Sequence, residues 1–228
     1  MRVTLNVDLG ELPDEPEELY ALANVANVAC GGHAGDAASM RRACRLARAH
    51  GTKVFAHPSF PDREGFGRRA IAMDPEELRA SLREQCAALL EAAATEGVAV
   101  EGVKPHGALY HVVATDLDVA RVAVEGCSEI AGPWVIPPGA RLAELVATML
   151  VEGFADRGYA RDGTLIPRGA AGALLDDGEA AAEQTRLLLR MNRFQTLCVH
   201  GDRVAAVVIA RAVRRVLDDI ATSSQQTP

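Results

Sequence analysis

Aromatic residues are scarce: one tryptophan, three tyrosines and five phenylalanines supply 4% of the 228 residues. The core must therefore come from Ala, Val and Leu packed between helices and strands, and hydrophobic residues make up 49% of the chain. No Lys/Arg-rich block is present and the formal charge is −7. That argues against nucleic acid, whose binders cluster excess cations. No apolar run approaches the roughly 20 residues that cross a bilayer. The stretch MRVTLNVDLGE carries acidic residues by position 8 and no apolar segment of signal-peptide length. CxxC spacing is absent, and the five cysteines (Cys30, Cys44, Cys86, Cys127, Cys198) are an odd number. Reduced thiols and a cytoplasmic location, with no membrane partner, are the expectation.

Local signatures of chemistry are missing too. No GxGxxG follows the first apolar run, no GxxxxGK[ST] cradles phosphate, and no GxSxG elbow or HxxxH pair occurs. What the chain has instead is alternation. Apolar runs at 3–7, 25–29, 53–56, 100–103, 134–136, 148–151 and 196–199 are separated by helical patterns. Met40, Ala43, Cys44 and Ala47 recur at helical spacing before the stop at Gly51. Asp74-Pro75-Glu76-Glu77 combines an N-cap, a first-turn proline and a capping-box acid. Further patterns cover about 115–131, 140–147, 179–192 and 204–220. Repeated β-then-α units without a composition break predict a parallel sheet in one domain over residues 1–221, with 222–228 as a disordered tail. A barrel fits better than a doubly wound sheet, because polar residues follow most of the strands rather than one switch point.

Five strands run into polar clusters: Asn6, Asp8 and Glu11; His33 and Asp36; His57, Asp62 and Arg68; Lys104 and His106; His200 and Asp202. Parallel strands end on the same side, so these distant groups are expected to meet at one rim. A single histidine after a strand is more often a hydrogen-bonded loop residue; four of the six in that position favour a functional cleft. His50, beside Gly51 at a helix end, and His111 are read as structural. The loop CGGHAGD admits two readings. Its glycines let main-chain N–H groups cradle an anion, or Asp36 caps the following helix and takes those donors itself. Arg157, near Arg168 and Asp156, either binds a substrate carboxylate or belongs to a salt-bridged surface loop. Several His with a carboxylate suit Zn²⁺ when the rings fall within ligand distance. Without local ligand spacing, and with Lys104 close by, no tightly bound metal is expected. Cys30 and Cys198 read as inert buried thiols.

The ordered segments LNVDLGE, NVACGGHAGD, AHPSFPDREGFGRR, VKPHGALY, EGFADRGY, DGTLIPR and CVHGD, spread over about residues 3–215, resemble the LamB/YcsF family, which forms the A subunit of the bacterial ATP-dependent 5-oxoprolinase. The resemblance implies a seven-stranded TIM-barrel-like β/α barrel related to polysaccharide-deacetylase barrels. It implies opening of 5-oxo-L-proline to L-glutamate with ATP, and Mg²⁺ beside it, in a complex with subunits B and C. Two positions depart from the family: Val7 stands where a cysteine is usual, and Gly32 where a phenylalanine is usual. On this reading Lys104 meets phosphate or an oxyanion, and His57 or His106 acts as acid or base. Asp8 and Glu11 orient a histidine or hold Mg²⁺, while His33, Asp36, Arg68, Arg157, His200 and Asp202 bind substrate or phosphate. Two alternatives stay open: a stand-alone metal-dependent amide hydrolase or deacetylase, and a non-catalytic subunit that binds an intermediate.

Overall fold

The structure, a computed structural model, describes residues 3–225. Seven parallel strands close into a barrel in chain order: β1 (Thr4–Leu9), β2 (Val25–Ala29), β3 (Lys53–His57), β4 (Val100–Val103), β5 (Trp134–Ile136), β6 (Met149–Phe154) and β7 (Thr196–His200). Closure comes from β1 lying beside β7, with Thr4 opposite Thr196 and Asp8 opposite His200. The expected seven-stranded barrel is therefore the fold.

Outside the strands lie α1 (Glu18–Leu22), α2 (Ala37–His50), α3 (Pro75–Glu96), α4 (Gly107–Thr115), α5 (Leu117–Gly126), a 3-10 turn (Arg141–Glu144), α6 (Gly178–Arg190) and α7 (Ala206–Gln225). Local chemistry sets several ends. Asp74 accepts from the Glu76 N–H at the start of α3, and Gly97, at φ 67°, ends it in the left-handed conformation that glycine adopts without strain. Helix α7 runs past the expected end near 220 to Gln225, so positions 222–225 are helical rather than tail; residues 226–228 of that expected tail lie outside the described residues.

Each strand alternates. Leu5, Val7 and Leu9 of β1 join Ala26, Val28, Val54, Ala56, Leu197 and Val199 in the apolar layer against the helices. Each fully buried Leu or Val there contributes about 1.5–3 kcal/mol. Inside the barrel the lower end is plugged by a separate cluster, Val25, Phe55 and Val135, with Leu150 against it. Above the plug the interior turns polar: Asn6, Asn27, Glu152 and Thr196 are all 0–1% exposed. Four strands reach one to three residues further toward the rim than their apolar runs suggest. Asp8, His57, Glu152 and His200 are strand residues that face the polar interior.

Candidate functional site

The floor of the site is built around Lys104, which follows β4. Its Nζ donates to Asp8 Oδ1 at 2.7 Å, lies 3.0 Å from Glu152 Oε1 and from Cys198 Sγ, and reaches Asn6 Oδ1 at 3.2 Å. Asn6 donates in turn to Glu152 (2.9 Å) and Thr196 (2.8 Å), and Asn27 donates to Asn6 (2.7 Å) and Asp8 (2.8 Å). Burial by itself would push the Lys104 ammonium down; Asp8 and Glu152 outweigh it and hold it well above the ordinary lysine range. Burial would likewise raise Asp8, but its neighbours His57 and the Lys104 ammonium hold it well below the carboxylate range. The Cys198 thiol is pushed up by burial and by Asp8, which keeps it protonated. An ammonium has three protons, and four acceptors already surround this one. Lys104 is thus the keystone of the floor, 2% exposed, and its donors are not free for phosphate.

Beside it, four groups from four elements meet. Glu11 comes from the loop after β1, His33 from the loop before α2, His57 from the end of β3, and His106 caps α4. Glu11 Oε1 lies 3.0 Å from His33 Nε2, 3.3 Å from His106 Nδ1 and 3.8 Å from His57 Nε2. His57 Nε2 and His106 Nδ1 are 2.9 Å apart. Burial, reinforced by Asp8, raises Glu11 well above its usual range, and burial holds His33 and His106 well below theirs. The ligand-type atoms of these four groups all lie within 4.8 Å of one another, and a second such group is Asp8, Cys198 and His200. Gly67, at φ 65°, permits the packing: a Cβ there would stand 2.8 Å from both the His106 ring and His33 Cβ. Its neighbour Phe66 is itself left-handed, at φ 53°, which aims its carbonyl at His106 Nε2, 2.9 Å away.

On the opposite wall His200 and Asp156 form a pair. The His200 ring Nδ1 is 2.9 Å from Asp156 Oδ2, and the His200 main-chain N–H donates to the same oxygen at 3.0 Å. Burial would raise Asp156, but His200 and Arg203 hold it below its usual range. In the neutral ring the Asp156 contact places the proton on Nδ1 and the lone pair on Nε2, 3.9 Å from Asp8 Oδ2. The mouth above is a narrow cavity of about 50 Å³ reached by Arg68, Arg157 and Arg168. Tyr110, His111 and Phe154 join it to a second cleft of about 470 Å³.

The residues expected at one rim are largely there. Asp8, His57, Lys104, His106, His200 and Arg68 line one cavity, and Glu11 and His33 touch its histidines. Asp202 reaches the rim by pairing with Arg68 at 2.6 Å. Asp36 has another job. It is exposed and caps α2, accepting from the Ala38 and Ser39 N–H groups, so it occupies two of the N-terminal donors itself. Arg157 is half committed: its guanidinium donates to the carbonyls of Ala173 and Ile166 and ties down the segment after β6. Arg168 has no hydrogen bond or ion pair to another described residue and is the freer cation at the mouth. The absence of local ligand spacing, the ground for expecting no metal, is offset by the fold, which assembles ligand-type atoms from loops up to 95 positions apart.

Some partners have little signature in the sequence. Asn27 and Thr196 lie inside strands, where period-two alternation of polar residues is their only signal, and Phe154 reads as an ordinary core residue. Asp156 is legible as a loop acid, and only its contact with His200 gives it a role. The Val7 side chain packs outward, so a thiol at that position would face the helices and not the cleft.

The sequence profile of the LamB/YcsF family matches residues 3–228. A protein from Pyrococcus horikoshii, named as the A subunit of 5-oxoprolinase, is 39% identical over 242 residues, covering 96% of this chain and 95% of its own. The crystal structure of a lactam utilization protein from Thermus thermophilus superposes with a TM-score of 0.86 at 35% identity, over 97% of this chain and 98% of that one. A family 4 carbohydrate esterase from Streptomyces lividans shares the fold alone, with a TM-score of 0.56 at 14% identity over 96% of this chain and 88% of that one. Barrel, motif order and whole-length similarity agree: the chain belongs to the LamB/YcsF family.

Proposed function

We propose that this chain is the A subunit of an ATP-dependent 5-oxoprolinase and carries the water-addition chemistry that opens the lactam to glutamate. One observation carries the reading. His200, His57, His106 and Asp8 converge on a single barrel mouth in a chain similar over its whole length to a protein named as the A subunit of 5-oxoprolinase.

A five-membered lactam keeps its amide resonance, so hydrolysis needs an activated carbonyl, a base for water and a proton for the departing amine. His200 meets the second need. With Nδ1–H held by Asp156, its Nε2 lone pair takes a proton from water at the mouth, and the resulting imidazolium is stabilised by the same carboxylate. It then returns that proton to the nitrogen as the C–N bond breaks. Arg168, with Arg68 beside it, faces the substrate carboxylate. Lys104 acts at a distance: it fixes the charge of Asp8, and Asp8 limits how far His200 and His57 can move.

Asp36 caps α2 at the end of the glycine loop, and no GxxxxGK[ST] phosphate loop occurs in the chain. Activation of the lactam oxygen by phosphate is therefore assigned to partner subunits B and C, with Mg²⁺ travelling with the nucleotide. The experiment is reconstitution. The chain with B and C should form glutamate from 5-oxoproline and ATP, the chain alone should not, and His200→Asn should remove glutamate formation. Full activity without this chain, or with His200→Asn, overturns the proposal.

A second reading, a metal-dependent amide hydrolase acting alone, is favoured by one observation, the cluster of Glu11 with three histidines. It requires ring opening by the isolated chain without ATP, which the same assay reads.

A further inference from the structure

The cluster around Glu11 poses a problem of lone pairs. His57 Nδ1 lies 2.7 Å from the Lys104 carbonyl, and His106 Nε2 lies 2.9 Å from the Phe66 carbonyl. A carbonyl only accepts, so each of these nitrogens carries the ring proton. The other nitrogens, His57 Nε2 and His106 Nδ1, then present lone pairs to each other at 2.9 Å. Glu11 Oε1 adds a third electron-rich atom 3.3 Å from His106 Nδ1, and Asp8 Oδ2 faces His57 Nε2 at 3.4 Å. Nothing donates between the two nitrogens.

We propose that Glu11, His57 and His106 bind one divalent transition-metal ion at the barrel mouth. Ligand atoms about 2.1 Å from an ion stand about 3.0 Å apart at a right angle and about 3.4 Å apart in a tetrahedron. The observed separations of 2.9, 3.3 and 3.8 Å bracket that range. The His57 and His106 rings meet at 89°, so their planes intersect and both in-plane nitrogens can address one point. Both rings are held by N–H donation to a carbonyl, the outer support that metal-bound histidines require.

His33 is not a ligand. Its ring is stacked on His106, with centroids 3.6 Å apart and planes 3° from parallel. Lone pairs lying in two separated parallel planes cannot aim at the same ion. His33 instead donates through Nε2 to Glu11 Oε1 and positions that carboxylate. The Asp8–Cys198–His200 group is excluded for a different reason: the Lys104 ammonium already lies 2.7 Å from Asp8 and 3.0 Å from Cys198 Sγ. Two imidazoles and one carboxylate select ions of the Zn²⁺, Co²⁺ or Fe²⁺ type over Mg²⁺, and three protein ligands leave positions open for water or substrate.

The inference is independent of the lactam reading, since its test needs neither substrate nor partner subunits. The full chain, stripped with a chelator and dialysed, is titrated with Co²⁺ and followed by its visible absorption. The expected result is saturation at one equivalent, displacement by Zn²⁺ and indifference to millimolar Mg²⁺. Glu11→Gln and His106→Ala should each abolish saturable uptake. His33→Phe, which keeps the stack and loses the donor, should weaken Co²⁺ binding about 10–100-fold without changing stoichiometry. Cys198→Ala should still bind one equivalent. No saturable uptake by the wild-type chain overturns the proposal whatever the variants do; so does uptake that survives Glu11→Gln and His106→Ala, or that is lost in Cys198→Ala.

Discussion

Lys104 Nζ stands 2.7 Å from Asp8 Oδ1 and 3.0 Å from Glu152 Oε1, so two buried carboxylates share one ammonium. Removing the cation strands both acids. Lys104→Met is expected to lower unfolding free energy by about 3–5 kcal/mol. Adding Asp8→Asn and Glu152→Gln to it should recover most of that loss. Urea denaturation of the three chains checks both, and a single variant as stable as wild type would refute the keystone role.

Asp156 acts through His200. In Asp156→Asn the amide can present its NH₂ to Nδ1, favouring the tautomer that protonates Nε2. Glutamate formation in the reconstituted complex should fall by about 10²–10⁴-fold in kcat, the range for losing a general base, with little change in KM. A loss confined to KM would assign the pair to substrate binding instead.

Asp62 gives a pH signature. Hydrogen bonds from Arg69 pull its carboxyl down to about 2, and it also accepts from the Gly65 N–H at 2.9 Å. An unfolded aspartate titrates near ~3.9. The folded state therefore binds fewer protons, and the Asp62 contribution is complete above that value and lost as pH falls through about 2. Melting temperatures of wild type and Asp62→Asn should differ at pH 5 and converge as pH approaches 2. A gap that stays constant would show that the Arg69 contact contributes nothing.

Gly67 and Gly139 separate crowding from backbone strain. Both have positive φ, 65° and 75°, but a Cβ at Gly67 meets His106 and His33 at 2.8 Å whereas one at Gly139 meets nothing within 4 Å. Gly139→Ala should cost about 1 kcal/mol. Gly67→Ala should cost more and also weaken Co²⁺ binding, because the His106 ring must move. Equal losses in both, with binding intact, would remove Gly67 from the support of the site.

Much of this is legible in the sequence, for reasons that can be named. The strand positions follow from short apolar runs between capped helices, and parallel direction alone predicts that His57, Lys104 and His200 meet. The strand ends are harder to read, because Asp8 and Glu152 look like loop residues although they point into a polar barrel interior. Helix α4 gives no start signal, since it opens on His106-Gly107 without a side-chain cap. The Glu11 cluster has no local spacing at all. Its partners come from separate loops and a strand end, and only closure of the barrel sets their distances.

The stopper of Val25, Phe55 and Val135 makes the barrel a blind well. Whatever reacts at the rim therefore does not pass through the lower end of the barrel. A neighbouring protein seated over the rim would therefore govern admission and release together.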